Sequence, residues 1–145
     1  MGTDGKTETS YLDEDLSIKH GKEIFWWKNG QKGVEKNYIN NVLDGKYTSW
    51  YDNGQIMGEG NYIDGEVDGK YTFWYRNGQK FIDGNYKDNK SDGKWTFWKK
   101  NGQKDEERNY KDGELVNKTI FKYSYFTGHL KSEKKYKDGK CISGC

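Results

Sequence analysis

The sequence predicts an all-β protein: an elongated, twisted antiparallel meander of tandem 24-residue β-hairpin units, about ten short strands in all. Three observations carry this prediction. The chain repeats itself at a fixed period. The same Asn-Gly turn stands at the same place in four successive units. Aromatic residues alternate with polar ones beside that turn.

The units begin at Gly21, Gly45, Gly69 and Gly93, and their register holds without a gap. They share the skeleton Gly-Lys-x-Thr-x-Trp-x-x-Asn-Gly-Gln, then an acid two residues before Asn-Tyr, then Asp-Gly. A diverged copy starts at Asn117, with a two-residue insertion before its turn. The repeat array therefore spans 21–145. Residues 1–20 form an N-terminal segment in which Tyr11-Leu12-Asp13-Glu14-Asp15 echoes Tyr62-Ile63-Asp64-Gly65-Glu66. That segment reads as a half-repeat cap, since terminal repeats are often atypical.

Each unit gives two strands. The first is represented by Lys70-Tyr71-Thr72-Phe73-Trp74-Tyr75. Asn77-Gly78 turns the chain, because both residues tolerate a positive φ. The return strand runs from about Gln79 to Lys87, and Asp88-Asn89 (Asp64-Gly65 and Asp112-Gly113 elsewhere) leads into the next unit. Alternation puts Tyr71, Phe73 and Tyr75 on one face and Thr72 with Trp74 on the other. Tyr38, Tyr62, Tyr86, Tyr110 and Tyr136 form a column on the return strands. Gly60 and Gly84 lie two residues before Tyr62 and Tyr86, where a neighbouring ring has room to lie flat on the backbone. Which face is buried, and the register across the turn, are left open.

Composition supports the same class. Only 31% of residues are hydrophobic and the mean hydropathy is −1.27, values that by themselves suggest disorder. Aromatics at 17% oppose that, and no proline interrupts a ladder. The chain has 19 glycines and no alanine, which disfavours long helices. Twenty-five basic and 23 acidic residues are well mixed, so no nucleic-acid footprint is expected. No apolar run reaches the roughly 18 residues of a membrane span. The polar start, Met1-Gly2-Thr3-Asp4, has no signal-peptide pattern. Cys141 and Cys145 suit either a local bridge or free or intermolecular thiols.

The residues Gly69-Lys70, Trp74-Tyr75, Asn77-Gly78-Gln79 and Asn85-Tyr86 with Asp88, recurring over about 21–140, resemble MORN repeats. They most resemble the bacterial MORN-variant repeat of exported 24-residue-repeat proteins and antitoxin-like proteins. The resemblance implies an elongated single-layered antiparallel sheet. It also implies protein–protein contact, membrane-associated scaffolding or an antitoxin role. The fifth copy departs from it at Thr127 and His129.

Candidate sites are columns rather than unique constellations. Trp26, Trp50, Trp74 and Trp98 form an aromatic ladder, and these four with Tyr75 are the candidate binding residues. In a thin sheet such a ladder reads first as stacked core and second as a partner-binding face. Glu35, Glu59, Asp83, Glu107 and Glu133 form an acidic column. Recurrence in every unit favours a charge-paired ladder over paired catalytic carboxylates. The Asp-rich turns lack the acid that a calcium loop needs at its twelfth place, where Tyr75 and Lys99 stand. His20 and His129 are isolated, and no triad or zinc spacing is present. Lys131, Lys134, Lys135, Lys137 and Lys140 read as a solvated edge.

The expected function is therefore a non-enzymatic protein-interaction or scaffolding module. No cofactor, metal or catalytic residue is expected; the partner is another protein, and peripheral membrane contact is compatible. Export is favoured over a cytoplasmic location. An antitoxin and a glycan or lipid binder are the alternatives.

Overall fold

A computed structural model describes residues 5–11 and 16–145. Of the segment that echoes residues 62–66, residues 12–15 lie outside the described residues. Those described form strands and turns with no helix. The strands are β1 (Lys6–Tyr11), β2 (Lys19–Trp26), β3 (Lys32–Ile39), β4 (Val42–Leu43), β5 (Gly45–Trp50), β6 (Ile56–Ile63), β7 (Glu66–Val67), β8 (Gly69–Trp74), β9 (Lys80–Lys87), β10 (Lys90–Trp98), β11 (Lys104–Lys111), β12 (Glu114–Tyr123), β13 (Leu130–Lys137) and β14 (Lys140–Ser143). They make one open antiparallel meander in which sequence neighbours pair. The count exceeds ten because two first strands are broken. The N–H groups of Asp44 and Asp68 turn back to the carbonyls of Asn37 and Asn61, which separates β4 from β5 and β7 from β8. The outermost strands, β1 and β14, add the rest.

The two turn types are the reverse of the simplest expectation. At Asn77-Gly78 only the glycine has a positive φ, +82°, a value shared by Gly30, Gly54 and Gly102. The Tyr75 N–H donates to the Gln79 carbonyl at 2.8 Å, and the Gly78 N–H donates to the Tyr75 carbonyl at 2.9 Å. This is a three-residue loop closed by a left-handed glycine and a bulge. A second bulge, at Phe81, completes the register left open by the sequence: Trp74 faces Lys80, Phe81 is skipped, and Phe73 faces Ile82. The two-residue turns with both φ positive are those at the other edge, Asn40-Asn41, Asp64-Gly65, Asp88-Asn89 and Asp112-Gly113.

Both edges also lock one unit to the next. The Asn29, Asn53 and Asn77 amides donate to the carbonyls of Asp52, Arg76 and Lys100. Trp27 Nε1, Tyr51 Oη and Tyr75 Oη donate to the carbonyls of Trp50, Trp74 and Trp98. At the opposite edge the Gly65 and Gly113 N–H groups donate to the carbonyls of Leu43 and Ser91.

A single layer has no second sheet to pack on, so the core is made from rings laid on the sheet itself. Tyr71 faces Gly84 across β8–β9, and Gly84 lies beneath Trp95 of β10. A methyl carbon at Gly84 would overlap the Trp95 ring; one at Gly60 would overlap Tyr71. Gly58 stands in the same relation to Phe73, where such a carbon would lie 2.9 Å from the ring atoms. Edge-to-face contacts then run Tyr71–Tyr86–Trp95–Tyr110, with ring centroids 5.8, 4.9 and 6.3 Å apart. Tyr71 and Trp95 are buried, and burial pushes the Tyr71 phenol above its ordinary range.

The aromatic face ends differently at its two extremes. In the first unit Glu23 occupies the place of Tyr71, opposite Lys36 instead of a glycine. Its carboxylate meets Lys19 at 2.6 Å and Lys36 at 2.7 Å, and accepts from Tyr38 Oη at 3.3 Å. In the last unit Ile120 faces Glu106, as Phe97 faces Ile82, but the turn-side position of Trp98 passes to Tyr123. The two inserted residues therefore lengthen that hairpin and shift its register. Cys141 and Cys145 are joined by a disulfide, the local bridge among the two alternatives.

Replacing Gly84 with alanine is expected to cost about 1–3 kcal/mol, because the Trp95 ring must leave its place. Urea unfolding measures this, and an unchanged midpoint would contradict it. Burial alone would raise the Glu23 pKa, but hydrogen bonds and charge from Lys19 and Lys36 outweigh it and hold the group at about 2. Its folded value is depressed, so its stabilisation is present above the ordinary carboxylate pKa and is lost as pH falls through the folded one. Stability is expected to drop between about pH 4.5 and pH 2, with roughly 2–3 kcal/mol from this group. Glu23→Gln should flatten that part of a pH-dependent urea series.

Candidate binding face

The face opposite the rings on glycine is organised in three rows that cross the strands. The middle row is set by pairing: Ile24, Glu35, Thr48, Glu59, Thr72, Asp83, Thr96, Glu107 and Thr119 stand side by side from β2 to β12. After Ile24, acid and hydroxyl alternate, because each first strand contributes its threonine and each return strand its acid. Thr72 Oγ1 donates to Asp83 Oδ1 at 2.8 Å.

Lysines flank this row on both sides. Lys22, Lys46, Lys70 and Lys94 reach the acids from the first strands, at 2.7, 3.2, 3.5 and 2.8 Å. Lys32, Lys80 and Lys104 reach Glu35, Asp83 and Glu107 from the turn side, at 2.6, 3.2 and 2.7 Å. Hydrogen bonds from Lys22 and Lys32 lower the Glu35 pKa. For Asp83 and Glu107 burial works upward, but Thr72 and the lysines outweigh it and the net shift is downward. These carboxylates are held ionised, the opposite of a proton donor poised near neutrality. Glu133 leaves the column. The lengthened last hairpin sets it opposite Phe121, and Lys135 takes the place facing Thr119.

The third row holds the tryptophan ladder. Trp26, Trp74 and Trp98 pair with Lys32, Lys80 and Lys104; Trp50 pairs with Ile56. All four indoles are half-buried, outside the buried set, and stand on the face away from Tyr71 and Trp95. Lysines lie between them. Lys32 Nζ is 5.8 Å from the Trp26 ring and 5.9 Å from the Trp50 ring; Lys80 is 5.5 Å from Trp98; Lys104 is 5.8 Å from Phe121. Tyr75 does not join this row, because its hydroxyl is committed to the Trp98 carbonyl across the turn edge.

The rows enclose troughs that recur at the repeat period. One is lined by Lys46, Glu59, Asn61, Lys70 and Thr72, and the next by Lys70, Asp83, Asn85, Lys94 and Thr96. Each residue of the second lies 24 positions after its counterpart in the first. Two strands per unit set the spacing at about 9.5 Å. Sequence reasoning missed the interleaved lysines and the asparagine row. The signal was present in the residue after Gln of the turn, Lys32, Lys80 and Lys104, against Ile56 in the second unit.

Residues 43–64, 67–88 and 91–112 match the MORN repeat variant. These three tandem units are MORN repeats of the variant type. MORN repeats are non-catalytic modules that bind proteins or membranes. A search of curated proteins returns no match. Among solved structures, a crystal structure of a GtfA/B complex bound to UDP and GlcNAc aligns with 94% of this chain at 11% identity and a TM-score of 0.33. This chain spans 24% of that one. A likeness at that level bears on neither fold nor function.

Proposed function

We propose that this MORN-repeat protein is a non-enzymatic interaction module that holds another protein across its tryptophan- and lysine-bearing face. One observation carries the reading: the same trough of lysine, acid, asparagine and threonine returns one unit on. A repeated surface suits an extended partner, whereas catalysis needs a unique set of groups. The low pKa values of Glu35, Asp83 and Glu107 support the same view, since none is tuned as an acid or base.

The energetic logic is that of an avid, shallow contact. Exposed ion pairs such as Lys70–Asp83 are worth about 0–1 kcal/mol each, so exchanging them for pairs with a partner costs little. Several units engaged together multiply weak contacts. A pulldown from native lysate followed by cross-linking is expected to recover a protein whose cross-links fall on Lys46, Lys70 and Lys94. Cross-links confined to the opposite face, or substrate turnover without a partner, would contradict the proposal.

The Cys141–Cys145 bridge supports export to an oxidising compartment, since such bonds persist there. Protein alkylated directly in intact cells should then carry no label on either cysteine.

A further inference from the structure

The four units are not equivalent at one position, and the difference leaves a site open. In units one, three and four the residue facing the tryptophan across the turn is lysine: Lys32, Lys80 and Lys104. Each places its ammonium on that unit's acid, at 2.6, 3.2 and 2.7 Å, beside an aromatic ring of the following unit. The chain thus fills three slots of the same shape with its own cation. In unit two the residue facing Trp50 is Ile56. Its side chain ends in methyl groups and supplies no charge.

The consequence falls on Glu59. Glu35, Asp83 and Glu107 each hold two lysines, whereas Glu59 pairs with Lys46 at 3.2 Å. Its side chain is 33% exposed, against 18, 23 and 18% for the other three. The trough here also reaches farther than its neighbour: besides Glu59 and Thr72 it is lined by Trp74 and Lys80. The trough one unit on stops short of Trp98 and Lys104.

We infer that the slot between Trp50 and Trp74, above Glu59, receives a lysine side chain of a protein partner. Its ammonium pairs with the Glu59 carboxylate and its methylene stem lies along Ile56 between the indoles. The molecule supplies the template three times over: carboxylate below, an aromatic ring of the next unit beside the ammonium, and a first-strand lysine on the far side of the acid. Repulsion from Lys46 is met equally by Lys32, Lys80 and Lys104 in their own slots, where Lys22, Lys70 and Lys94 share the acid. A carboxylate flanked by rings recognises a cation through both charge and ring quadrupole. This inference rests on the interaction reading above, and names one anchor within it.

The test uses the full chain labelled at the indole nitrogens, titrated with N-acetyl-lysine N-methylamide and, separately, with the glutamate analogue. The lysine probe is expected to shift the Trp50 and Trp74 Nε1–H resonances and to leave those of Trp26 and Trp98 in place. Ile56→Lys should abolish the response while the fold is kept, because the unit then fills its own slot as its neighbours do. Glu59→Gln should abolish it by removing the charge. A response to the glutamate probe that grows in Ile56→Lys would overturn the inference and mark the trough as an anion site, as a glycan or phospholipid headgroup would require. No response to either probe, or an unchanged response in both variants, would overturn it as well. A partner captured equally by wild type and Ile56→Lys would sink the slot and leave the interaction reading standing. Probe shifts without any captured partner would do the reverse.

Discussion

The structure depends on aromatic rings lying directly on the glycine backbone of a single sheet. A meander of one layer has two exposed faces and no opposing element to cover either. Burial must come from side chains that fold down over the strands that carry them. A ring can do so only where the strand beneath has no Cβ. Gly58, Gly60 and Gly84 provide that absence under Phe73, Tyr71 and Trp95. The same closeness lets the tyrosine column meet those rings edge to face, so that Tyr71, Tyr86, Trp95 and Tyr110 form one continuous run and Tyr47 meets Tyr62 in the unit before.

Committing one face to this layer releases the other. The opposite surface is held by ion pairs, the Thr72–Asp83 hydrogen bond and a lysine slotted between two indoles, with the lysine ends at the rim and Thr48, Thr72 and Thr96 buried beneath them. Such a surface can exchange its internal partners for external ones at small cost. The two turn edges make this possible without loss of order, because each unit is clamped to the next through backbone carbonyls rather than through the binding face. The ends of the array are finished by different means: Glu23 with two lysines at one, a lengthened hairpin and the Cys141–Cys145 bridge at the other.

Much of this architecture is legible in the order of the residues. The period, the hairpins, the tyrosine column and the role of Gly60 and Gly84 follow from spacing alone, because a two-residue alternation assigns faces without knowledge of the fold. Which face is buried is not legible in the same way. Both carry aromatics, and only the cross-strand register shows that glycine lies under Tyr71 and Trp95 rather than beside Trp74. The bulge at Phe81 offsets the extra residue of the three-residue loop, so Tyr71 faces Gly84 as it would across a two-residue Asn-Gly turn, and only the pairs beside the turn differ. Glu133 falls in the acidic column when residues are counted back from Tyr136, and the lengthened last hairpin defeats that count. The slot at Ile56 is visible in the sequence as a single break in the Gln-Lys pattern. Its meaning requires the positions of Lys32, Lys80 and Lys104 over their acids.

The division of the sheet into a core face and a binding face stands on the contact between ring and glycine, and the proton resonances of the glycines report it directly. A ring in contact with a glycine shields the α-proton that occupies the place of a side chain. The α-protons of Gly60 and Gly84 are expected well upfield of those of Gly54 and Gly78, whose nearest neighbours are the Gln31 and Gln55 side chains. Equal shifts at all four glycines would mean that the rings do not lie on the sheet, and the assignment of a core face and a binding face would fail with them.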